Sequence, residues 1–509
     1  MGSARAWALA MLLVSMGPAV AWRLAASHAC AAAAASCAPP RARVAAGPPP
    51  KRAGKGFGGG APAAPSRSTR AAPAAAPAAS DSAEWAVLRS WLEARGATVD
   101  GIGVGIVDAR TGLRGVYAAR AFERGEPIFK VPRATAILDE ARADASAVGA
   151  VWAGRECDVP ACVRVALLVL FLLMRGDACA DDWGPALAML PTRAEFESDG
   201  GPLELWSVAE VSLCECAQLI GEVGARSAEL RALYDGVLLP GWERAAQAAG
   251  SPLRGLAPPS FERVQWAVVA VSSRAYGEGE PGAGSSSMLV PAVDLCNHAP
   301  PADANTAKAL APWGEFVVIA ARALAAGEEV TITYGPLPTR RLLQQFGFML
   351  PRALATQRAF DVPLARLDLL WAGDGRARES ARGDGEDVWV AKLPDGARDA
   401  LAELARAGLL LRDKSGAVSR WQPCGDGLRA AVAQLHARTG AASYAQLLRR
   451  ELGAFPSGAQ PEADDAQLAE RAPEMPPRHQ LALEFRARAK RLLRDAAETE
   501  DACAAGALG

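Results

Sequence analysis

The chain has 509 residues, enough for two or three domains, and half of them are hydrophobic, so most of the chain can bury a core. Its net charge of −1 hides an asymmetry: residues 1–80 hold nine Lys or Arg and no Asp or Glu, leaving 46 basic against 56 acidic residues in the remainder, a net of −10. A mildly acidic body excludes a broad electrostatic footprint for nucleic acid. The ten cysteines, with Cys214 and Cys216 as a lone C-x-C, exclude paired zinc-ligand spacing and read as reduced, buried thiols.

An apolar run from Trp7 to Ala21 follows Arg5. It is too short and interrupted for a membrane span, so no stable membrane insertion is expected. It closes on Ala19-Val20-Ala21, the small-x-small cleavage pattern of a signal peptide. Residues 22–80 are rich in Ala, Pro and Ser, the composition of a transit peptide. A signal core before a transit-like stretch, with Trp22 just after the cut, resembles the bipartite plastid leaders of algae with secondary plastids. A single-step mitochondrial leader, or a cytoplasmic chain with a low-complexity N-terminus, is the alternative. Residues 1–80 are set aside as leader and linker.

Order is expected from Asp81, which can cap a helix with Glu84 three residues on. Trp85, Leu88, Trp91 and Leu92 share one face of it, and Gly96 ends it. Short strands follow at Ile102–Val107, Gly115–Ala119 and Pro127–Val131. Gly115, with no side chain to intrude, lets something approach the backbone closely. From about 141 to 275 the pattern turns helical. Val165–Met174 reads as a buried core helix rather than a span. Ser260 caps a helix with Phe261, Val264, Val268 and Val271 at helical spacing. A long helical block among strands reads as an insertion.

After a Gly/Ser tract comes Asp294-Leu295-Cys296-Asn297-His298, and His298 is the only histidine between His28 and His436. Taken alone, such a His or Asn is explained by backbone partners in a core. Trp313–Ala321 reads as a strand. Ala323–Tyr334 reads as a turn at Gly327, a solvated Glu328-Glu329 pair, and a strand alternating Val330, Ile332 and Tyr334 with Thr331 and Thr333. Thr339–Phe346 is a short helix, followed by Gly347-Phe348. Beyond it, helices are expected at Asp399–Arg412, Gly427–Thr439, Ser443–Leu452 and His479–Glu498, with loops at Gly373–Glu386 and Ser457–Asp464. The last helix is basic and amphipathic, and is expected to pack its apolar stripe while water solvates its charges.

VDLCNH and GEEVTITYG together resemble the two signature motifs of SET-domain protein methyltransferases. RGVYAARAFERGEPIFKVP resembles that family's N-terminal motif, and SSRAY and FGFML resemble segments of its plastid Rubisco lysine methyltransferase-like branch. LLVLFLLMRG…WGPALAMLP and LELWSVAEV resemble the branch's helical insert. The resemblance covers roughly 84–350 in order. It implies an α+β fold: a SET-type β fold of short strands over 81–350 with a large helical insertion at about 141–275, then an all-α substrate-docking domain over 351–509.

The resemblance also implies S-adenosyl-L-methionine as cofactor, held by Asn297 and His298, with the turn at Leu113 to Gly115 against it, Arg274 on its carboxylate and Phe348 over its adenine. Tyr334 is then the catalytic residue, lining a substrate channel with Phe346, and no metal is implied. The implied activity is lysine N-methylation of a non-histone, plastid protein such as the Rubisco large subunit or an aldolase, docked on the C-terminal helices by a monomeric enzyme. Histidine methylation on the same fold and a non-catalytic binding module are the alternatives. Two departures from the family pattern motivate the latter: Leu113 replaces the first glycine of the usual G-x-G turn, where Gly112 can shift the turn, and Phe346 replaces a tyrosine.

Overall fold

The computed structural model describes residues 82–108, 112–176, 182–277, 286–310, 314–335, 337, 339–350, 410–412, 418–421, 433, 436, 443–471 and 474–504. The leader, the loop at Gly373–Glu386 and most of the helix expected at Gly427–Thr439 lie outside the described residues.

Helix α1 (Ala83–Ala94) buries Trp85, Leu88, Trp91 and Leu92, the face read from the sequence. Its cap is Ser82 and not Asp81: the Ser82 hydroxyl accepts from the Trp85 amide. The helix starts at Ala83, which makes Ser82 the N-cap and Trp85 the third helical residue, whose amide it reaches; such a cap contributes about 1 kcal/mol.

Among the described residues the strands form five small sheets. β1 (Ile102–Asp108) pairs antiparallel with β2 (Leu113–Ala118), and β3 (Pro127–Pro132) pairs with β8 (Glu315–Ala320), which also pairs with β7 (Thr306–Leu310). β4 (Leu138–Asp139) pairs with β5 (Met288–Leu289). β6 (Asn297–His298) runs parallel to β9 (Thr331–Ile332). Two bonds tie the hairpin to the segment before β9: the Ala118 amide donates to the Glu328 carbonyl and the Val330 amide to the Val116 carbonyl, both at 2.8 Å. Gly115, Glu329 and Asn297, far apart in sequence, therefore meet.

The helical insertion is present between β4 and β5. Its long helices include α2 (Ala161–Arg175), α3 (Ala217–Leu233) and α4 (Phe261–Ser272), the last capped by Ser260 as expected. α2 and α4 pack into one core with the strands. Among the described residues no helix is long and apolar enough to cross a membrane.

Other parts of the insertion belong to a second core. Leu203, Trp206, Leu219 and Val223 pack with Leu343 of α5 (Thr339–Phe346) and with the C-terminal helices. Those helices are α6 (Tyr444–Gly453), α7 (Pro461–Arg471) and α8 (Pro477–Ala504). The region expected as a loop at Ser457–Asp464 thus starts a helix at Pro461, a residue suited to a first helical turn. Leu410–Arg412, expected as the end of a helix, is instead β10, paired with β11 (Val418–Trp421).

The charges of α8 also differ from expectation. Arg486 and Lys490 are buried and pair with Asp464, and Arg486 reaches Glu215 as well. The helix is covered by α7 on one side and by the insertion on another, so part of its polar face has no access to water and requires carboxylate partners.

Candidate active site

β6 positions Asn297 and His298, and their neighbours fix both side chains. The Asn297 amide nitrogen donates to the Arg114 carbonyl at 3.0 Å and to a Glu329 carboxylate oxygen at 2.9 Å. Both amide hydrogens are thus committed, and the Asn297 carbonyl oxygen remains as an acceptor. Glu329 is not the solvated residue that the sequence pattern suggested. It is partly buried against Asn297, and burial raises its pKa above the ordinary carboxyl value. The sequence places it beside the turn at Gly327, where charged residues are usually solvated; the approach of β2, through the Tyr117–Glu329 bridge, covers it.

Gly115 is the position that permits this contact. A β-carbon there would lie 2.5 Å from the Asn297 amide nitrogen and 3.2 Å from the Glu329 carboxylate. The group that approaches the glycine closely is therefore the Asn297–Glu329 pair. Gly115→Ala is expected to displace Asn297 and to lower stability by about 1–3 kcal/mol, the usual cost of overpacking. Urea unfolding measures this, and an unchanged midpoint would mean that the site relaxes freely. Leu113, two residues earlier, is exposed at the start of β2, and Gly112 beside it adopts φ 73°, open space for any shift of the turn.

Asn305, which sequence reasoning missed, holds the next strand. Its side chain donates to the Glu329 carbonyl at 2.7 Å and accepts from the Thr331 amide at 2.8 Å. It meets these backbone groups as a neighbouring strand would, and of the expected longer strand Thr331–Ile332 joins a ladder. The signal was a buried-pattern Asn just before β7, indistinguishable in sequence from a turn residue.

His298 accepts from the Tyr334 amide through Nδ1 at 3.1 Å. Burial, and then the Lys308 charge, push its pKa down to about 4, so the ring is neutral at pH 7. The unfolded chain binds a proton near pH 6.5 that the folded chain resists until about pH 4. This contribution to stability therefore rises with pH between those values. Asp294 opposes it, since burial raises its carboxyl to about 6 and so favours the folded state at low pH. The stability difference between the parent protein and His298→Gln isolates the histidine: it is expected to grow from pH 4 to pH 6.5 and then level off, measured by urea unfolding across pH. A flat difference would exclude the assignment.

Tyr334 donates its hydroxyl to the Cys296 carbonyl at 2.9 Å. Its ring stands 5.0 Å from His298, 4.7 Å from Phe346 and 6.5 Å from Phe348, centroid to centroid. Burial raises the phenol well above its ordinary pKa, so it stays protonated through the neutral range.

A cavity of about 360 Å³ lies beside this tyrosine. Arg274, Tyr276, Asp294, Lys308, Tyr334 and Phe346 line it. Arg274 donates to the Asp294 carbonyl at 2.9 Å, yet its Nε and one Asp294 carboxylate oxygen are buried without a hydrogen-bond partner. Buried polar atoms of this kind are ones that a ligand or an ordered water can satisfy. Of the residues predicted from sequence, Arg274, Tyr334 and Phe346 line the cavity, while Leu113, Gly115, Asn297, His298 and Phe348 are absent from its lining. His298 and Phe348 join the second group to the first through the aromatic contacts with Tyr334.

Residues 113–335 match the family model of the SET domain. No curated protein matches the chain. Among solved structures, the SET domain of LSMT bound to lysine and AdoHcy aligns with a TM-score of 0.52 and 17% identity, over 82% of this chain and 91% of that one. Rubisco LSMT bound to AdoMet aligns with a TM-score of 0.51 and 18% identity, over 82% and 92%. Rubisco LSMT bound to sinefungin and monomethyllysine gives a TM-score of 0.51 and 17% identity, over 82% and 92%. The chain has the SET fold of these structures, short strands with a large helical content that includes the C-terminal helices.

Proposed function

We propose that this SET-domain protein is an S-adenosylmethionine-dependent protein-lysine N-methyltransferase. The observation that carries the reading is Tyr334: its hydroxyl is fixed on the Cys296 carbonyl, its amide donates to His298, and the residue lines the cavity. The bound donor supplies a methyl group already activated on a sulfonium.

The residues present fit such a donor. Asn297 keeps a carbonyl oxygen free to accept from an ammonium, because Arg114 and Glu329 orient its amide. Arg274 has an unpartnered buried Nε, and a guanidinium matches carboxylate geometry. Neutral His298 adds no cation to a site that takes a cationic donor. Phe348, with Tyr334 and Phe346, gives an aromatic wall.

The protein's remaining tasks are alignment and a neutral acceptor amine, and alignment alone lowers a barrier by several kcal/mol. Desolvation in the cavity disfavours a charged amine. Tyr334 stays protonated, so it orients the amine by accepting from it and does not remove its proton. Phe346 leaves that wall without a second hydroxyl.

The substrate is read as a non-histone plastid protein, in the class of the Rubisco large subunit or an aldolase, docked on the C-terminal helices by a monomer. The bipartite character of residues 1–80 supports the plastid, and the solved relatives named for Rubisco support the substrate class. Incubation of the protein with labelled donor and plastid extract is expected to label one protein on lysine, identified by mass spectrometry. Labelling on histidine would move the assignment to that residue. Absence of both labelling and calorimetric donor binding would leave a binding module.

A further inference from the structure

Lys308 stands in the middle of β7 and lines the same cavity as Tyr334 and Phe346. Its Nζ lies 4.5 Å from the centroid of the Tyr276 ring and donates to the Thr333 carbonyl at 3.1 Å. Thr333 directly precedes Tyr334. Among the described residues, no carboxylate pairs with this ammonium. The residue is exposed along its length, but its ammonium end lies where desolvation lowers its pKa.

A surface lysine draped over an aromatic ring is the ordinary arrangement, held by a weak cation–π contact. Two features separate Lys308 from that case. Although the residue is exposed, its side chain lines the same cavity as Tyr334, and its charge is felt at His298. An aromatic face and a backbone carbonyl are also what an incoming acceptor ammonium requires. Lys308 therefore already occupies, from within the chain, the kind of environment an acceptor lysine would enter.

We propose that Lys308 is a methyl acceptor of the protein's own site, modified within the same molecule. The inference rests on the methyltransferase reading given above. In the step, the Lys308 ammonium releases a proton to water, and the freed Nζ lone pair forms a bond to the methyl carbon. The bond from that carbon to the donor sulfur breaks, the sulfur keeps the electron pair and becomes a neutral thioether, and Lys308 becomes a methylammonium. Methylation keeps the positive charge and adds bulk and apolar surface against Tyr276. It thereby narrows the cavity to other acceptors.

The test uses the full chain and isotopically labelled S-adenosylmethionine with no other protein, followed by mass spectrometry of the peptide carrying Lys308. Donor binding is measured separately by calorimetry, and a lysine-rich protein mixture is offered in a parallel reaction. The expected result is label on Lys308 at a rate per molecule independent of protein concentration, absent in Lys308→Arg and reduced at least about tenfold in Tyr334→Phe. Donor binding with methylation of the added proteins, but an unmodified Lys308, overturns this inference and leaves the methyltransferase reading standing. No donor binding overturns both. A rate per molecule that rises with protein concentration overturns the intramolecular step.

Discussion

Tyr334→Phe is expected to lower turnover by about 10²–10³-fold, the range seen when one fixed hydrogen-bonding group is removed from a reaction centre. Donor affinity should change little, because the ring and its contacts with Phe346 and Phe348 remain. The hydroxyl hydrogen is committed to the Cys296 carbonyl at 2.9 Å, which leaves the oxygen to act as an acceptor for an amine in the cavity that Tyr334 lines. Loss of the hydroxyl also leaves that carbonyl unpaired, a cost of about 1–3 kcal/mol to the folded state. The two effects separate by measurement: urea unfolding reads the second, and single-turnover kinetics at saturating donor reads the first. The phenol is held well above its ordinary pKa, so it contributes no ionisation between pH 6 and pH 9. A pH–rate limb that disappears in Tyr334→Phe, or a rate loss below about fivefold, would refute its orienting role.

Much of this site was legible in order and spacing, and the rest was hidden for physical reasons. The single His298 in a long histidine-free stretch, and the alternation around Tyr334, pointed to one place because strands carry a period of two that survives in sequence. Glu329 was misread as a solvated turn residue. A charged residue beside a turn glycine carries no mark of whether another strand will cover it, and β2 does so through a contact distant in sequence. Asn305 was invisible because its role replaces a missing strand backbone, a tertiary relation with no local pattern. Gly115 was singled out correctly as a close-approach position, yet only the structure identifies what approaches it.

The fold divides similarly. Helices with a clean apolar face, α1 and α4, were legible, as was α5 by its ends. The hairpin of β10 and β11 was lost because Leu410–Arg412 continues an Ala- and Leu-rich run, whose propensity favours helix. The buried charges of α8 were lost because amphipathicity records only the apolar stripe. Nothing in 477–504 alone shows that Asp464 and Glu215 converge on Arg486.

Arg340 supplies the second large effect, and it links that buried architecture to the cavity. Its Nη1 donates to both oxygens of Glu222 at 2.7 and 2.6 Å, and each side chain of the pair is about 5–6% exposed. Arg340 begins α5, and Glu222 belongs to α3 of the insertion. Arg340→Met should cost about 3–5 kcal/mol of stability, because the buried Glu222 carboxylate loses the guanidinium that contacts both of its oxygens. Arg341, whose Nη1 lies 3.9 Å from Glu222 and which is 40% exposed, is too solvated to replace it. The double variant Glu222→Leu with Arg340→Met should recover most of that loss, since replacing both charges by apolar groups removes the desolvation penalty along with the attraction. Urea unfolding of the two single variants and the double variant gives the coupling directly. Activity should follow the same order. α5 anchors Gln345 to the Ser272 carbonyl at 2.8 Å and sets Phe346 4.7 Å from Tyr334, so a loosened α5 moves one wall of the cavity. If Arg340→Met costs less than about 1 kcal/mol, water reaches Glu222 and the pair is not the buried clamp described. If stability falls while turnover stays unchanged, Phe346 is held by its aromatic neighbours rather than by the helix that carries it.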